Sequence, residues 1–271
     1  MKKSVIQPSQ GWKVVDFPEL WRYKDLLYFL TVRGIKARYA QSVLGIGWAI
    51  IQPLFTTLVF TIVFGGLAEV DSDGMPYLLF SYLALWPWNY FSGTLSESAN
   101  SLVANAGMIT KVYFPRLILP MAAIFSKLLD FLISFVVLLI LLIYFQVLPG
   151  WQLIFLPILL IQLIMCSLGI GMILSAMAVQ YRDIKYALGF IVQLLLYAAP
   201  VVYSTTAVPD QYQFFYSLNP MVGVIEGIRA MFLSRSMPWQ LIWPGAIVGA
   251  VLFVFGLFYF RRMEKVFADV A

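Results

Sequence analysis

Of 271 residues, 62% are hydrophobic and only 11% charged, against about 45–50% apolar and 25% charged in an ordinary soluble domain, which excludes a water-soluble single-core protein. The formal charge of +5 comes with no histidine and one cysteine. That removes the commonest general base, the usual zinc ligand, any Ser-His arrangement and any disulfide framework. No G-x-x-x-x-G-K-[ST] run occurs, so the chain holds no phosphate loop of its own.

Residues 1–18 are polar, are broken by Pro8 and Pro18, and lack the apolar heart of a cleavable signal. The first true span is therefore expected to act as the targeting signal. Residues 19–40 read as an amphipathic helix lying in the inner interface. Leu20, Tyr23, Leu27 and Leu30 recur at helical spacing, and Arg22, Lys24, Arg33, Lys36 and Arg38 supply cationic flanks. Such a helix is either a plain anchor or one that also touches a cytoplasmic partner.

Six apolar blocks follow, at 45–66, 77–99, 118–145, 153–179, 187–204 and 241–260. A ~30 Å hydrocarbon core needs roughly 20 helical residues, and the blocks are continuously apolar, which favours helices over the period-two alternation of a barrel. The expected fold class is an all-α polytopic membrane protein with six transmembrane helices. Residues 1–44 form a cytoplasmic N-terminal part, 45–262 the transmembrane domain, and 263–271 a cytoplasmic tail.

Orientation comes from the basic residues. Eight precede the first span (Lys2, Lys3, Lys13, Arg22, Lys24, Arg33, Lys36, Arg38), Lys111 and Arg116 lie in 100–117, Arg182 and Lys185 in 180–186, and Arg261, Arg262 and Lys265 in the tail. The hinges 67–76 and 146–152 hold none, and only Arg229 and Arg235 fall in 205–240. The positive-inside bias puts both termini in the cytoplasm. Cations strung along one boundary answer to anionic lipid, so no nucleic-acid partner is expected. Asp71 and Asp73, beside Gly74 in an outer turn, read as solvated turn acids.

Charge within the spans is sparse: Glu97, Lys127 and Asp130. Each would cost about 2.5–3.5 kcal/mol at a helix centre. Lys127 and Asp130 are three apart and can pair, with Glu97 able to join them, so they form either a structural brace between the second and third spans or part of the substrate path. Pro53, Pro87, Pro120, Pro157 and Pro200 promise bends. Ser167, Gly171 and Ser175 on the fourth span, and Gly245 and Gly249 on the sixth, form small-residue stripes for close helix packing, within or between subunits.

In the outer segment 205–240, Asn219-Pro220 reads as an N-cap with proline at the first helical position. The helix it opens is too short to span, and Glu226 and Arg229 can pair along it. It reads as a short re-entrant helix lidding the outer mouth. Aromatic residues crowd the same side. Most suit an interface belt, while Trp86, Trp88, Tyr90, Tyr197 and Tyr203 are candidates to line a channel and stack on sugar rings.

Four stretches resemble a known family. RGIKARYAQSVLGIGWAIIQPLFTTLVFTIVFG (33–65), KVYFPRLILP (111–120), VQYRDIKYALGFIVQLLLYAAPVVY (179–203) and LNPMVGVIEGIRAMF (218–232) are similar to type-2 ABC exporter permeases for O-antigen, capsule and teichoic acid, the O-antigen branch above all. The likeness covers about 33–262. It implies a half-transporter in the bacterial inner membrane that pairs with a second copy and docks on two cytoplasmic ABC ATPase subunits. ATP and Mg would then sit on those subunits, with no cofactor, metal or catalytic residue on this chain.

The resemblance further implies that the hinge carrying Lys111, Tyr113, Phe114, Pro115 and Arg116 is a coupling element fitting the ATPase. Arg182 and Asp183 either touch the same partner or form a local ion pair capping the fifth span. The implied cargo is an undecaprenyl-diphosphate-linked polysaccharide, its diphosphate met by Arg33, Lys36 and Arg38. The rival readings are an ATP-independent flippase or carrier, a membrane-embedded transferase, which the absent histidine disfavours, and an ABC exporter of teichoic acid, drug or small lipid.

Overall fold

Without water to receive backbone N–H and C=O groups, an apolar block in a bilayer must satisfy them within itself, which the i→i−4 ladder does. The computed structural model describes residues 17–40 and 42–264, and every regular element among them is helical. Lys2, Lys3, Lys13, Lys265 and most of the expected tail lie outside the described residues.

The expected amphipathic segment forms two helices, α1 (Phe17–Arg22) and α2 (Lys24–Tyr39). The first apolar block is α3 (Trp48–Phe60), prolonged by a π-helical stretch over Thr61–Leu67. Then come α4 (Tyr77–Ala104), the short α5 (Ala106–Ile109), and α6 (Ile118–Ser126) running into α7 (Leu128–Tyr144) with a break at Lys127. A 3₁₀ turn at Trp151–Phe155 leads into α8 (Leu156–Gln180), followed by α9 (Ile184–Tyr197). Segment 205–240 forms α10 (Asp210–Ser217) and α11 (Pro220–Phe232), and α12 (Trp239–Glu264) is the last helix among the described residues.

Among the described residues, four helical stretches are long and apolar enough to cross a membrane: Gly45–Leu67, Ile118–Tyr144, Trp151–Gln180 and Trp239–Glu264. The second and fifth blocks are occupied by α4 and α9. The former, though 28 residues long, is richer in polar side chains, because it is the central helix and most of its surface is buried by neighbours. The latter has only 14 residues and stops short of the expected boundary at 204. Pro200 supplies no N–H to continue the ladder, and Asn219 Nδ2 donates to the Ala198 carbonyl at 3.1 Å.

The expected proline bends are fewer. Pro53 and Pro87 lie inside helices, as does Pro244 of α12. Pro120 and Pro157 instead sit in the first turns of α6 and α8, where a missing N–H costs nothing.

Small residues set the packing of α8 between α4 and α12. A Cβ on Gly171 would fall 2.8 Å from Ser98 Oγ, and one on Gly169 would fall 2.6 Å from the Phe253 backbone nitrogen. Gly256 faces the Gly169 backbone in return, while Gly245 meets the backbone at Ser217 and Pro220. The stripes read from the sequence thus seat helix on helix within the subunit, as expected where dispersion, not water exclusion, drives association.

The bundle has two distinct ends. At one, Leu30, Leu102, Phe114, Ile118, Met172, Ala176 and Phe260 form an apolar cluster beneath α2, which we call the basic end for its Lys and Arg residues. At the other, the far end, Arg235 Nη1 pairs with Asp73 Oδ2 at 3.0 Å, Arg235 Nη2 donates to the Asp73 carbonyl at 2.8 Å, and Gly150 N donates to Met231 O at 3.1 Å. Asp73 is therefore no freely solvated turn acid. It also accepts from Ser204 Oγ at 2.9 Å, tying hinge 67–76 to the segment before α12.

Candidate functional site

At the basic end, α4 runs through α5 into an irregular hinge before α6. Phe114 anchors that hinge: it is 4% exposed, in the apolar cluster with Leu30 and Phe260. Read from sequence as part of a projecting knob, it instead points into the chain's own core, and the projecting groups are Val112 and Tyr113, the latter 64% exposed. Tyr113 Oη donates to Glu19 Oε1 at 3.2 Å, and burial together with that carboxylate raises its pKa. Tyr23 Oη reaches the Tyr113 carbonyl at 3.5 Å, and Arg116 Nη1 donates to the Glu264 carbonyl at 2.6 Å. Hinge, α1–α2 and the end of α12 thus form one block. Pro115 ends the irregular stretch, its carbonyl accepting from Ile118 N at 3.1 Å, and Lys111 is exposed.

Arg182 and Asp183, in the turn between α8 and α9, are both exposed, and the Asp183 side chain makes no capping bond to α9. No ion pair joins them among the described residues.

The three cations assigned to a diphosphate separate into two kinds. Arg33 donates to Asn105 Oδ1 at the surface, and Lys36 is exposed. Arg38 has a different role: its side chain is only 19% exposed and reaches Asp130 Oδ2 at 2.9 Å and Glu97 Oε1 at 3.3 Å. It also donates to Ser126 Oγ at 3.2 Å and the Ser126 carbonyl at 3.3 Å. Lys127 Nζ lies 3.6 Å from Glu97 Oε1 and 3.5 Å from Asp130 Oδ2. The expected trio of Glu97, Lys127 and Asp130 is brought together, and Arg38 makes it a two-cation, two-anion network. Tyr39 Oη donates to Asp130, and burial and that carboxylate push its pKa up to about 12. The helix break at Lys127 is where this network sits.

Trp86, Trp88 and Tyr90, read as channel candidates, are each 3% exposed within the bundle. Trp86 donates its indole N–H to Phe131 O at 3.0 Å and stacks on the Phe131 ring at 4.4 Å. Trp88 lines an apolar cavity of about 430 Å³ with Cys166, Leu195 and Tyr216. Tyr90 and Trp86 border a second cavity of about 230 Å³ between α3, α4 and α7. Tyr197 is exposed, and Tyr203 Oη donates to its carbonyl at 3.0 Å.

In segment 205–240, Asn219 caps α11 by accepting from Met221 N at 3.1 Å, with Pro220 at the first helical position, as the sequence predicts. Glu226 and Arg229 pair at 2.7 Å. Arg229 is nevertheless 3% exposed, its guanidinium 3.5 Å from the centre of the Phe80 ring and within reach of the Phe80, Val201 and Tyr203 carbonyls. Nearly all of α11 is buried. It packs against α4, α8 and α12, closing the far end of the bundle.

Known proteins resemble this chain over most of its length. The O-antigen export system permease RfbA of Klebsiella pneumoniae is 28% identical over 247 residues, covering 91% of this chain and 95% of that protein. The RfbA of Myxococcus xanthus is 28% identical over 222 residues, covering 81% and 85%. The polysialic acid transport protein KpsM of Escherichia coli is 27% identical over 248 residues, covering 87% and 92%. Residues 25–233, from the first turn of α2 to the end of α11, match the family described as the ABC-2 type transporter. Since that match spans well over half of its length, the chain belongs to the ABC-2 type transporter family.

Proposed function

We propose that this chain is the permease subunit of an exporter of lipid-linked polysaccharide of the O-antigen kind. The observation that carries the reading is the similarity to O-antigen export permeases through 91% of the chain. Two copies pair in a bacterial inner membrane, each crossing six times with residues 45–262 and keeping both termini in the cytoplasm. Two separate ABC ATPase subunits hold ATP and Mg. The nearly bare surfaces of α3 and α9, which bury only Thr57 and Leu188, support a partner copy against them.

Coupling enters through the projecting Lys111, Val112 and Tyr113, with Arg182 and Asp183 contributing from the turn between α8 and α9. The hinge is fastened to α1–α2 through Tyr113, Glu19 and Tyr23, and α2 to the spans through Arg38. A displacement of the hinge therefore reaches Glu97, Lys127 and Asp130. An ATPase biases the permease only through contacts that differ between its two arrangements. Arg33 and Lys36, exposed on α2, meet the undecaprenyl diphosphate, while Arg38 holds the helix in place. The buried α11, capped by Asn219 and Pro220 and braced by Glu226–Arg229, serves as the outer lid. Tyr197 and Tyr203 lie near the exit, with Trp86, Trp88 and Tyr90 forming the rigid wall behind it.

Reconstitution in vesicles tests the reading. With the ATPase partner and ATP present, lipid-linked glycan crosses the bilayer as ATP is consumed. Movement driven by this chain alone, without nucleotide, would support an independent carrier instead.

A further inference from the structure

On α4 the uncovered residues between 89 and 100 are Asn89, Ser92, Gly93, Ser96, Glu97 and Asn100, while positions 90, 91, 94, 95, 98 and 99 are buried. At 1.5 Å per residue this polar strip runs about 16 Å, roughly half the ~30 Å hydrocarbon thickness. The other long helices behave in the opposite way. The outward faces of α7, α8 and α12 carry Val136, Ile140, Ile161, Val251 and Phe255, as lipid requires. Amides and hydroxyls turned to acyl chains are unfavourable, so the α4 strip faces something wet.

A second observation lies beside it. The cavity of about 230 Å³ between α3, α4 and α7 continues the strip, adding Gln52 and Thr56 from α3 and Ser134 from α7 to Asn89 and Ser92. Tyr90, only 3% exposed, borders that cavity, and its hydroxyl has no hydrogen-bond partner among the described residues. An unsatisfied buried hydroxyl calls for a ligand or water. The charges at the strip and cavity balance, since Glu97 and Asp130 pair with Arg38 and Lys127, the last lining the cavity beside Asp130, which leaves no net charge among the donors and acceptors.

We infer that the uncovered face of α4, with Gln52 and Thr56 opposite, is the glycan-facing wall of the conduit, and that it suits uncharged, hydroxyl-rich sugars. The inference rests on the export function proposed above. Ser92 and Ser96 bond back to their own helix, at 3.4 Å to Asn89 O and 3.1 Å to Ser92 O. Their oxygens keep acceptor capacity for passing hydroxyls, a contact that any sugar can make and none must hold.

The chain's single cysteine, Cys166, makes the test direct. In a Cys166→Ala background, Ser92→Cys, Ser96→Cys and Asn100→Cys are compared with the lipid-side controls Val136→Cys and Phe255→Cys. Each is assembled with its ATPase in vesicles and treated with a charged, membrane-impermeant thiol reagent. The strip positions react and the controls do not. A neutral lipid-linked glycan protects them, whereas an acidic one of equal length does not. A strip that stays unlabelled in every nucleotide state overturns the inference, placing that face in lipid or between copies, and equal protection by both glycans overturns the assignment to uncharged sugars.

Export read in the same vesicles separates the two levels: export with an unlabelled strip refutes this inference alone, and no ATP-driven export refutes the function. As a second variant, Ser92→Val with Ser96→Val lowers export about tenfold if the hydroxyls serve the glycan. Unchanged export by that variant refutes the inference.

Discussion

Replacing Arg38 with methionine keeps the length and apolar stem of the side chain and removes its charge. The structure bounds the cost. The replacement loses one short charge-assisted bond, to Asp130 at 2.9 Å, a longer one to Glu97 at 3.3 Å, and two contacts to Ser126. The Glu97 side chain is 44% exposed, so solvent screens most of that pair. Asp130 is 24% exposed and keeps Lys127 at 3.5 Å and the Tyr39 hydroxyl, so it is not stranded as a lone buried charge. The loss is therefore about 2–3 kcal/mol, below the 3–5 kcal/mol of a fully orphaned pair.

Because Arg38 closes the last turns of α2 onto α6 and α4, the loss falls on local opening of α2. Amide exchange over Lys24–Tyr39 should accelerate roughly 30- to 150-fold while exchange in α8 and α12 stays unchanged. Asp130→Asn should accelerate the same amides, and the double variant should fall short of the product of the two single effects. Unaltered exchange in Arg38→Met, or strictly multiplicative single effects, would mean that the network does not hold the helix.

Three further outcomes are expected. Phe114→Ala, emptying a site 4% exposed, costs about 3–5 kcal/mol and lowers the melting temperature of the detergent-purified complex, whereas Tyr113→Ala leaves melting unchanged and reduces glycan exported per ATP consumed. The same response from both would remove the distinction between anchor and contact. Asp73→Asn breaks the ion pair with Arg235, whose partners are 17% and 41% exposed, and weakens the far-end tie by about 1 kcal/mol. This is read as faster cleavage of the 67–76 hinge by protease added to the outer face, and an unchanged rate would show that the tie holds nothing. Gly169→Leu prevents assembly, since its Cβ would lie 2.6 Å from the Phe253 nitrogen, while Gly107→Ala meets nothing within 4 Å and is silent. Normal yield of the Gly169 variant would contradict the close crossing of α8 and α12.

Features carried by local spacing were legible in the sequence. The Asn219-Pro220 cap and the i, i+3 pairs Lys127–Asp130 and Glu226–Arg229 depend on neighbours within one turn, and all are present, while four of the six apolar blocks fall in helical stretches long and apolar enough to cross a membrane. What escaped depends on distant partners. Arg38 looks like a lipid anchor on an interfacial helix because its carboxylates are 59 and 92 residues away. Phe114 looks like a projecting knob because Leu30, Met172 and Phe260, with which it shares an apolar cluster, come from three other segments.

The aromatic residues show the deeper reason. Tryptophans flanking Pro87 invite assignment to a channel, since indole is amphipathic and stacks on sugars. Inside a bilayer, however, an indole N–H must find an acceptor in the protein. Trp86 finds Phe131 O at 3.0 Å and is drawn inward by it. Serine and asparagine on a helix can meet their needs on the preceding turn of their own backbone, as Ser96 and Asn100 do at 3.1 Å each. Such residues are free to remain uncovered. On this helix hydrogen-bond satisfaction, and not polarity alone, sorts side chains between core and surface. The small hydroxyl and amide groups from Asn89 to Asn100 lie on the less covered face of α4.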